Sequence, residues 1–410
     1  MSATGSLADI LPADALAADS LEGWAARGRA PEAVVAPRSA DEVASTLRWA
    51  AARKVGVLPI ASGARFRGSP LERPYVVLST RRLCGVESYE PADLTLTAGA
   101  GTPLSDIDAL LRSRGQWLPF DPPAAPERSL GGLVARGESG PLWMGYGELR
   151  NHVLGLTAVT GDGRTLGLGG RVVKNVAGFD LLKPLVGSRG RLAVITSVCV
   201  RAFPAPAADR LLVLAGESAR ALAPAAHKIA TAPVVPASCV LLEPAEAVGA
   251  GAALVVRLHG GPATVEADRR TLERHAGVRF DAPEGPAAER LASAARDQAA
   301  GAAVVLGLTV LPSALADALA RVAEHLGRVE LAADACAAAV RVAAAGADPE
   351  AVAALRDGVE RLGGALSLEG EGADDALLAA ASRPSEAEQR LIAGLERVFD
   401  PEGVFWPCRT

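Results

Sequence analysis

Gly170-Arg171-Val172-Val173-Lys174-Asn175-Val176-Ala177-Gly178-Phe179-Asp180, followed by Gly187-Ser188-Arg189-Gly190-Arg191-Leu192-Ala193-Val194-Ile195-Thr196, is the most specific stretch of this chain. Its second half runs from a glycine-bracketed turn into a long apolar segment, Leu192–Phe203, whose β-branched content predicts a strand. Pro204 and Pro206 then punctuate the chain, and a domain boundary is expected there. Just upstream, Val153–Thr160 and Arg164–Leu168 flank Gly161-Asp162-Gly163 and read as a hairpin.

Further towards the N-terminus, Gln116–Gly147 is rich in glycine and holds Asp121-Pro122-Pro123, a composition that makes regular structure hard to sustain. Within it Ser129-Leu130-Gly131-Gly132-Leu133-Val134-Ala135, continuing to Gly140, permits positive φ and close approach of a ligand to the backbone. A G-x-G-x-x-G after an opening strand is missing, so this is not a Rossmann fingerprint. Earlier, Ala61-Ser62-Gly63-Ala64-Arg65 follows the short strand Gly56–Ile60. Its small residues leave successive N–H groups uncovered, which suits a diphosphate, although an ordinary surface turn has the same composition. Ser39-Ala40-Asp41-Glu42 is a capping box ahead of Val43, Leu47, Ala50 and Ala51. Strands are expected at Tyr75–Ser79 and Asp93–Ala98, and a helix opens at Thr102-Pro103 and closes by Gly115.

Beyond residue 206 the texture changes. Leu211–Leu214, Ser218–Ala230, Cys239–Leu242, Ala253–Leu258, Thr264–His275 and Val278–Phe280 give the order β-α-β-β-α-β. Val304–Val310, Leu315–Leu326, Ala337–Ala343, Val352–Leu362 and Ala365–Leu368 approximate that order again. The expectation is an α+β domain, an antiparallel sheet covered by helices on one face. A last helix, Glu386–Val398, leads into a turn at Phe399–Gly403 and a short tail.

The 410 residues suffice for two or three domains. With 22% charged residues and 50% hydrophobic ones, a mostly disordered chain is excluded. The net charge of −5 and the absence of a basic cluster argue against nucleic acid. Five dispersed cysteines without C-x-x-C spacing make an iron–sulfur or structural zinc site improbable and point to a reducing compartment. Met1–Ser20 carries acids and no base, unlike a signal peptide. The longest apolar stretches, near 245–256 and 301–312, fall short of a bilayer span. A cytoplasmic protein without direct membrane insertion is expected, associated with the inner membrane only through partners.

The stretch at 170–196 resembles the flavin domain of FAD-linked oxidases of the vanillyl-alcohol oxidase and p-cresol methylhydroxylase type. Within that family it is most similar to the FAD-binding subunits of bacterial glycolate oxidases. The resemblance spans roughly residues 31–206, strongest at Ser129–Ala135 and Arg171–Thr196, and resumes at Phe399–Arg409. It implies a two-domain α+β FAD-linked oxidase fold. Residues 1–30 would be an opening segment, 31–205 the FAD domain, 206–385 an α+β cap with antiparallel sheet, and 386–410 a tail returning to the FAD domain.

The same resemblance implies the cofactor contacts. Ala61, Ser62, Gly63, Ala64 and Arg65 match the first pyrophosphate loop, and Pro122 lies where the chain passes the flavin. Ser129, Leu130, Gly131 and Gly132 with Gly140 match the second loop. Gly190, Val194 and Ile195 match a segment lying along flavin or adenosine, and Lys174 and Asn175 fall near the core of the cofactor domain. Arg65 or Lys174 could be the cation beside reduced flavin. The first loop has a single glycine and no histidine for covalent attachment, so FAD would be noncovalent. The tail reads Trp406-Pro407-Cys408-Arg409, where the family commonly has asparagine-proline-glycine before a basic residue.

The expected activity is two-electron oxidation of a small 2-hydroxy acid, glycolate to glyoxylate. It would take place in a hetero-oligomer with a second flavin-fold subunit and an iron–sulfur subunit. Arg257 and His259, two residues apart at the end of a strand, are weak candidates for holding a carboxylate; a strand-end histidine and an exposed arginine are the plainer reading. The five histidines form no metal-ligand spacing, so no metal is expected. Self-sufficient relatives carry histidine-rich motifs in the second domain, which this sequence lacks. Two alternatives stay open: an FAD-carrying electron relay without its own substrate site, and a structural subunit that has lost FAD.

Overall fold

The computed structural model describes residues 6–16, 30–61, 73–125, 128–170, 180–369, 375–381 and 384–405. Its first unit is a small parallel sheet. β1 (Ala33–Val35), α1 (Ala40–Arg53), β2 (Gly56–Ile60) and β3 (Tyr75–Ser79) follow one another, with β3 between the other two strands. Ser39 caps α1 by accepting from the Glu42 N–H at 3.2 Å, while Glu42 turns back to the Arg38 N–H instead of Ser39. Val43, Leu47 and Ala50 are buried along one side of α1, the spacing of a single apolar stripe. All five residues of β3 are buried, as a central parallel strand covered on both faces must be. Within the segment expected to be a loose opening, residues 6–16 form two 3-10 turns. They bury Leu7, Leu11 and Ala15 in the core of this unit.

The second unit is an antiparallel sheet with helices on one side. Its elements are β4 (Val86–Glu90), β5 (Thr95–Gly99), α2 (Leu104–Arg112), β6 (Gln116–Trp117), α3 (Leu130–Arg136), α4 (Trp143–Tyr146), β7 (Val153–Thr160), β8 (Thr165–Gly169), α5 (Leu182–Leu185), β9 (Ala193–Arg201) and β10 (Phe203–Pro204). Five strands pair in the order β4-β5-β9-β7-β8, and β6 pairs separately with β10. The expected hairpin is β7–β8, with Ala158 opposite Leu166. Pro103 is the N-cap of α2 and not its first residue. The glycine-rich stretch expected to lack regular structure holds α3, because Ser129 caps it from outside and Gly137 ends it in the left-handed conformation, φ 66°. β9 is the hinge between the two units. Val194 joins the core of the first and Ile195 that of the second, since successive strand residues face opposite ways.

The rest of the chain is one seven-stranded antiparallel sheet. Its first half is β11 (Ala208–Gly216), α6 (Ala219–Ala230), β12 (Ser238–Glu243), β13 (Ala252–Gly260) and α7 (Pro262–Ala276), then α8 (Pro286–Asp297). Its second half is β14 (Val305–Thr309), α9 (Leu315–Leu326), β15 (Leu331–Asp334), β16 (Ala339–Ala343), α10 (Pro349–Arg361) and β17 (Ala365–Glu369). The spatial order β11-β13-β12-β15-β16-β14-β17 makes the halves mirror each other about the β12–β15 pair. No strand forms at 278–280; a bridge from Asp281 to Val213 stands in its place. Helices were expected on one face only. Leu222, Leu272, Leu319 and Leu355 of α6, α7, α9 and α10 do fill one core. The opposite face, however, buries Leu291 and Ala295 of α8 on Val213, Val240 and Val255.

α11 (Asp375–Ala381) and α12 (Glu386–Phe399) follow. The chain then returns to the first two units. Gly161 N donates to Phe399 O at 2.8 Å, and both carboxylate oxygens of Asp400 accept from Val404 and Phe405 N–H at 2.7 Å. Phe405 then bridges Val57 of β2 in parallel.

Candidate functional site

Three segments expected to approach a cofactor converge between the first two units. Ser129 Oγ accepts from Gly132 N at 3.3 Å, which turns the backbone into α3. The loop is stitched to the end of β5: Gly131 N donates to Ala100 O at 2.7 Å and Leu130 N to Thr102 O at 2.9 Å. A Cβ on Gly131 would sit 2.4 Å from Ala100 Cβ, so this glycine is required by packing. A Cβ on Gly132 would sit 2.9 Å from Ala61 Cβ, where β2 ends. The heads of both small-residue loops therefore pack directly against each other. The turn before β9 docks on α3, with Gly187 N donating to Val134 O at 3.0 Å and Arg189 N to Ala135 O at 2.7 Å. Gly190, at φ 77°, carries the chain past Pro59. Val194 and Ile195 are buried opposite Val159 and Ala158.

Gly140 and Pro122 belong to a second cluster nearby. Gly140 has φ 67°, and a Cβ there would lie 2.0 Å from Asp121 O. Asp121 Oδ1 accepts from Leu142 N at 2.9 Å. Burial pushes its carboxyl up to about 7, against the pull of that hydrogen bond and of Arg257 and Arg296. Pro122 behind it is buried. Ser62, Gly63, Ala64, Arg65, Lys174, Asn175 and the tail residues Trp406–Arg409 lie outside the described residues.

The structure does bring Arg257 and His259 together at a carboxylate, and that carboxylate is the chain's own. Arg257 clasps Asp209 through Nε at 2.8 Å and Nη2 at 2.5 Å. His259 Nε2 lies 3.2 Å from Asp209 Oδ1, without the alignment of a hydrogen bond, and its Nδ1 is 2.8 Å from the Tyr146 hydroxyl. Burial alone would raise the Asp209 pKa; the hydrogen bonds from Arg257 and the nearby His259 ring outweigh it and hold the carboxyl well below its usual range. Tyr146 in turn meets Trp117 and Phe203 edge-on at 5.5 Å. Trp143 Nε1 donates to Asp334 at 2.8 Å and Ala124 N to Asp297 at 3.0 Å. These contacts tie residues 117–146 to the seven-stranded sheet.

Sequence reasoning passed over Asp121, Arg128, Glu138 and Asp209. Arg128 stands directly before the second loop, 3% exposed, and donates to Glu138 Oε2 at 2.7 Å. Its Nη2 and the Ser188 Oγ are buried with no protein partner. A cleft of about 770 Å³ reaches this point, lined by Arg81, Thr102, Arg128 and Ser129 among others. The heads of the two small-residue segments meet at Ala61 and Gly132, and the cleft adjoins the second at Ser129; bare backbone of this kind suits the close approach of a dinucleotide diphosphate. Among the described residues, no group of three or more metal-ligating side chains forms, and no helix is long and apolar enough to cross a membrane.

Residues 31–169 match the FAD binding domain family. The chain is 40% identical over 154 residues to "Glycolate oxidase subunit GlcE" of Escherichia coli K12, covering 37% of this chain and 43% of that protein. It is 30% identical over 215 residues to "Glycolate oxidase subunit GlcD" of Bacillus subtilis, covering 52% and 46%. It is 37% identical over 174 residues to a D-lactate dehydrogenase of Archaeoglobus fulgidus, covering 42% and 38%. The chain thus spans less than half the length of these curated relatives. Among solved structures, p-cresol methylhydroxylase superposes with a TM-score of 0.73 at 14% identity, covering 97% of this chain and 93% of that one. Alkyldihydroxyacetonephosphate synthase superposes with 0.71 at 18%, covering 97% and 84%. The chain therefore carries an FAD binding domain, uses FAD as its cofactor, and has the α+β fold of the p-cresol methylhydroxylase-type FAD-linked oxidases.

Proposed function

We propose that this chain is the FAD-binding subunit of a glycolate oxidase-like complex that oxidises a small 2-hydroxy acid. One observation carries the reading: Gly132 and Ala61 face each other, at the heads of two small-residue loops, in a chain 40% identical over 154 residues to a glycolate oxidase subunit. FAD supplies the hydride acceptor; the protein supplies position, electrostatics and exclusion of water. The 2-hydroxy acid gives up two electrons and two protons to become the 2-oxo acid. The electrons leave through an iron–sulfur subunit, and a second flavin-fold subunit completes the complex. Glycolate is the first substrate to test, and cytoplasmic location with noncovalent FAD belongs to the same reading.

The Arg257–Asp209 clasp favours a second reading, an electron relay without its own substrate site. A guanidinium already held by two hydrogen bonds has little to offer a substrate carboxylate. Glycolate-dependent dye reduction and oxygen consumption, measured on the purified chain and on the chain with partner subunits, test the proposal. Activity that appears only with partners supports a subunit. Rapid turnover of the chain alone with oxygen as acceptor refutes it.

A further inference from the structure

Two cysteines of the seven-stranded sheet meet where its halves join. Cys239 on β12 stands opposite position 335, just past the end of β15. Val240 pairs with Asp334, and Ala335 N donates to Cys239 O at 2.9 Å. The Cys239 side chain is wholly buried in the core that α6 and α9 fill. Cys336 follows Ala335 in the turn towards β16 and packs against that same core while staying only half-buried. The turn holds it there: Cys336 N and Ala337 N both donate to Asp334 Oδ1 at 2.9 Å. Trp143 Nε1 anchors the other oxygen, Asp334 Oδ2, at 2.8 Å. The two thiols lie within hydrogen-bonding reach of each other, and that contact, together with burial, pushes the Cys239 thiol well above its usual range. Cys84 is exposed ahead of β4 and Cys199 is buried in β9, both outside this sheet.

We infer that Cys239 and Cys336 form a redox-active dithiol, a site that a peroxide converts reversibly to a disulfide bracing the junction of β12 and β15. Cys336, the less buried of the two, meets the oxidant first. Its sulfur attacks an oxygen of hydrogen peroxide: an S–O bond forms, the O–O bond breaks, and the second oxygen leaves as water with the thiol proton. The Cys239 sulfur then attacks Cys336 Sγ. The S–S bond forms, the S–O bond breaks, and the departing hydroxide leaves as water with the Cys239 proton. Two thiols and one hydrogen peroxide thus give one disulfide and two waters, and a dithiol reductant restores the thiols. The bridge would join residues 97 positions apart, which restricts the unfolded chain strongly. It would also fix the turn on which Trp143 rests.

The plainer role for the pair is as two small apolar fillers of the core. Peptide mapping separates the two. The full chain, reduced and freed of reductant, is treated with hydrogen peroxide, alkylated with iodoacetamide and digested with trypsin without reduction. Cleavage after Lys228, Arg257, Arg328 and Arg341 places Cys239 and Cys336 on separate peptides, 229–257 and 329–341. The expected product is these two peptides joined, lighter by two hydrogens than their sum, and released by dithiothreitol. The oxidised chain should melt roughly 5–10 °C above the reduced one, the shift of an ordinary disulfide in a domain of this size. Cys239→Ala and Cys336→Ala should each lose that shift. Cys239→Ala should also leave Cys336 as a sulfenic acid that dimedone labels; if either variant fails to fold, the wild-type peptide map still decides. Peptides that stay unlinked in the folded wild type while Cys84 is oxidised overturn the inference. So does a link that forms only after the chain is unfolded in guanidinium. A link that leaves the melting temperature unchanged overturns it as well, because the bridge then braces nothing.

Discussion

Gly132 stands against Ala61 so closely that a Cβ on the glycine would lie 2.9 Å from the alanine Cβ. These residues are 71 positions apart by number, on two different units, and the contact exists because α3 begins where β2 ends.

Gly132→Val must push Ala61 and Ser129 aside at the heads of both loops, and it should lower flavin occupancy by more than it lowers stability. Gly131, one residue earlier, packs instead on Ala100 in the core of the second unit. Gly131→Ala should destabilise the chain by about 1–3 kcal/mol, the usual cost of overpacking. Thermal melts and flavin-to-protein ratios distinguish the pair. The same phenotype in both variants would mean that position 132 is structural as well.

Flavin should leave the protein on acid precipitation and appear wholly in the supernatant. The segments Ser129–Gly140 and Gly187–Ile195 themselves contain neither histidine nor cysteine. Colour that stays in the pellet contradicts noncovalent binding.

Asp121 makes stability depend on pH in a defined direction. Its folded value of about 7 lies above the unfolded carboxylate value. The folded state therefore binds the extra proton; the contribution is complete below about pH 4 and is lost as pH rises through about 7. Its upper size is about 4 kcal/mol, from roughly three pKa steps of 1.36 kcal/mol each. Asp121→Asn should flatten the fall in melting temperature between about pH 5 and about pH 8. A variant with the wild-type slope would place the titrating group elsewhere.

Much of this architecture was legible because its signals are local. The hairpin β7–β8 announces itself through Gly161-Asp162-Gly163, and the cap through the recurrence of strand and helix patterns. α3 was hidden because Gly131 and Gly132 are poor helix formers; Ser129 and tertiary packing on Ala100 override that preference. β15 is only four residues long and α8 is dominated by alanine, so neither gives a strong periodic signal. Asp209 could not be found from spacing. It meets His259 only through the β11–β13 register, which pairs these two residues directly.

Asp209→Asn should loosen the contact between the seven-stranded sheet and residues 117–146. The Asp209 side chain is 41% exposed, so solvent screening limits the loss to about 1 kcal/mol. Its depressed carboxyl contributes stability above about pH 4, and that contribution fades as the pH falls further. The gap in melting temperature between variant and wild type should be present at neutral pH and shrink in acid. A gap independent of pH would assign the effect to packing instead.

The most direct measurement is the absorbance spectrum of flavin bound to this chain, recorded anaerobically after adding glycolate, first to the isolated chain and then with partner subunits. The isolated chain should keep its flavin oxidised, and the same flavin should be reduced once the partners are present. Prompt bleaching of the isolated chain by glycolate, or a flavin that stays oxidised in an active complex, would contradict this.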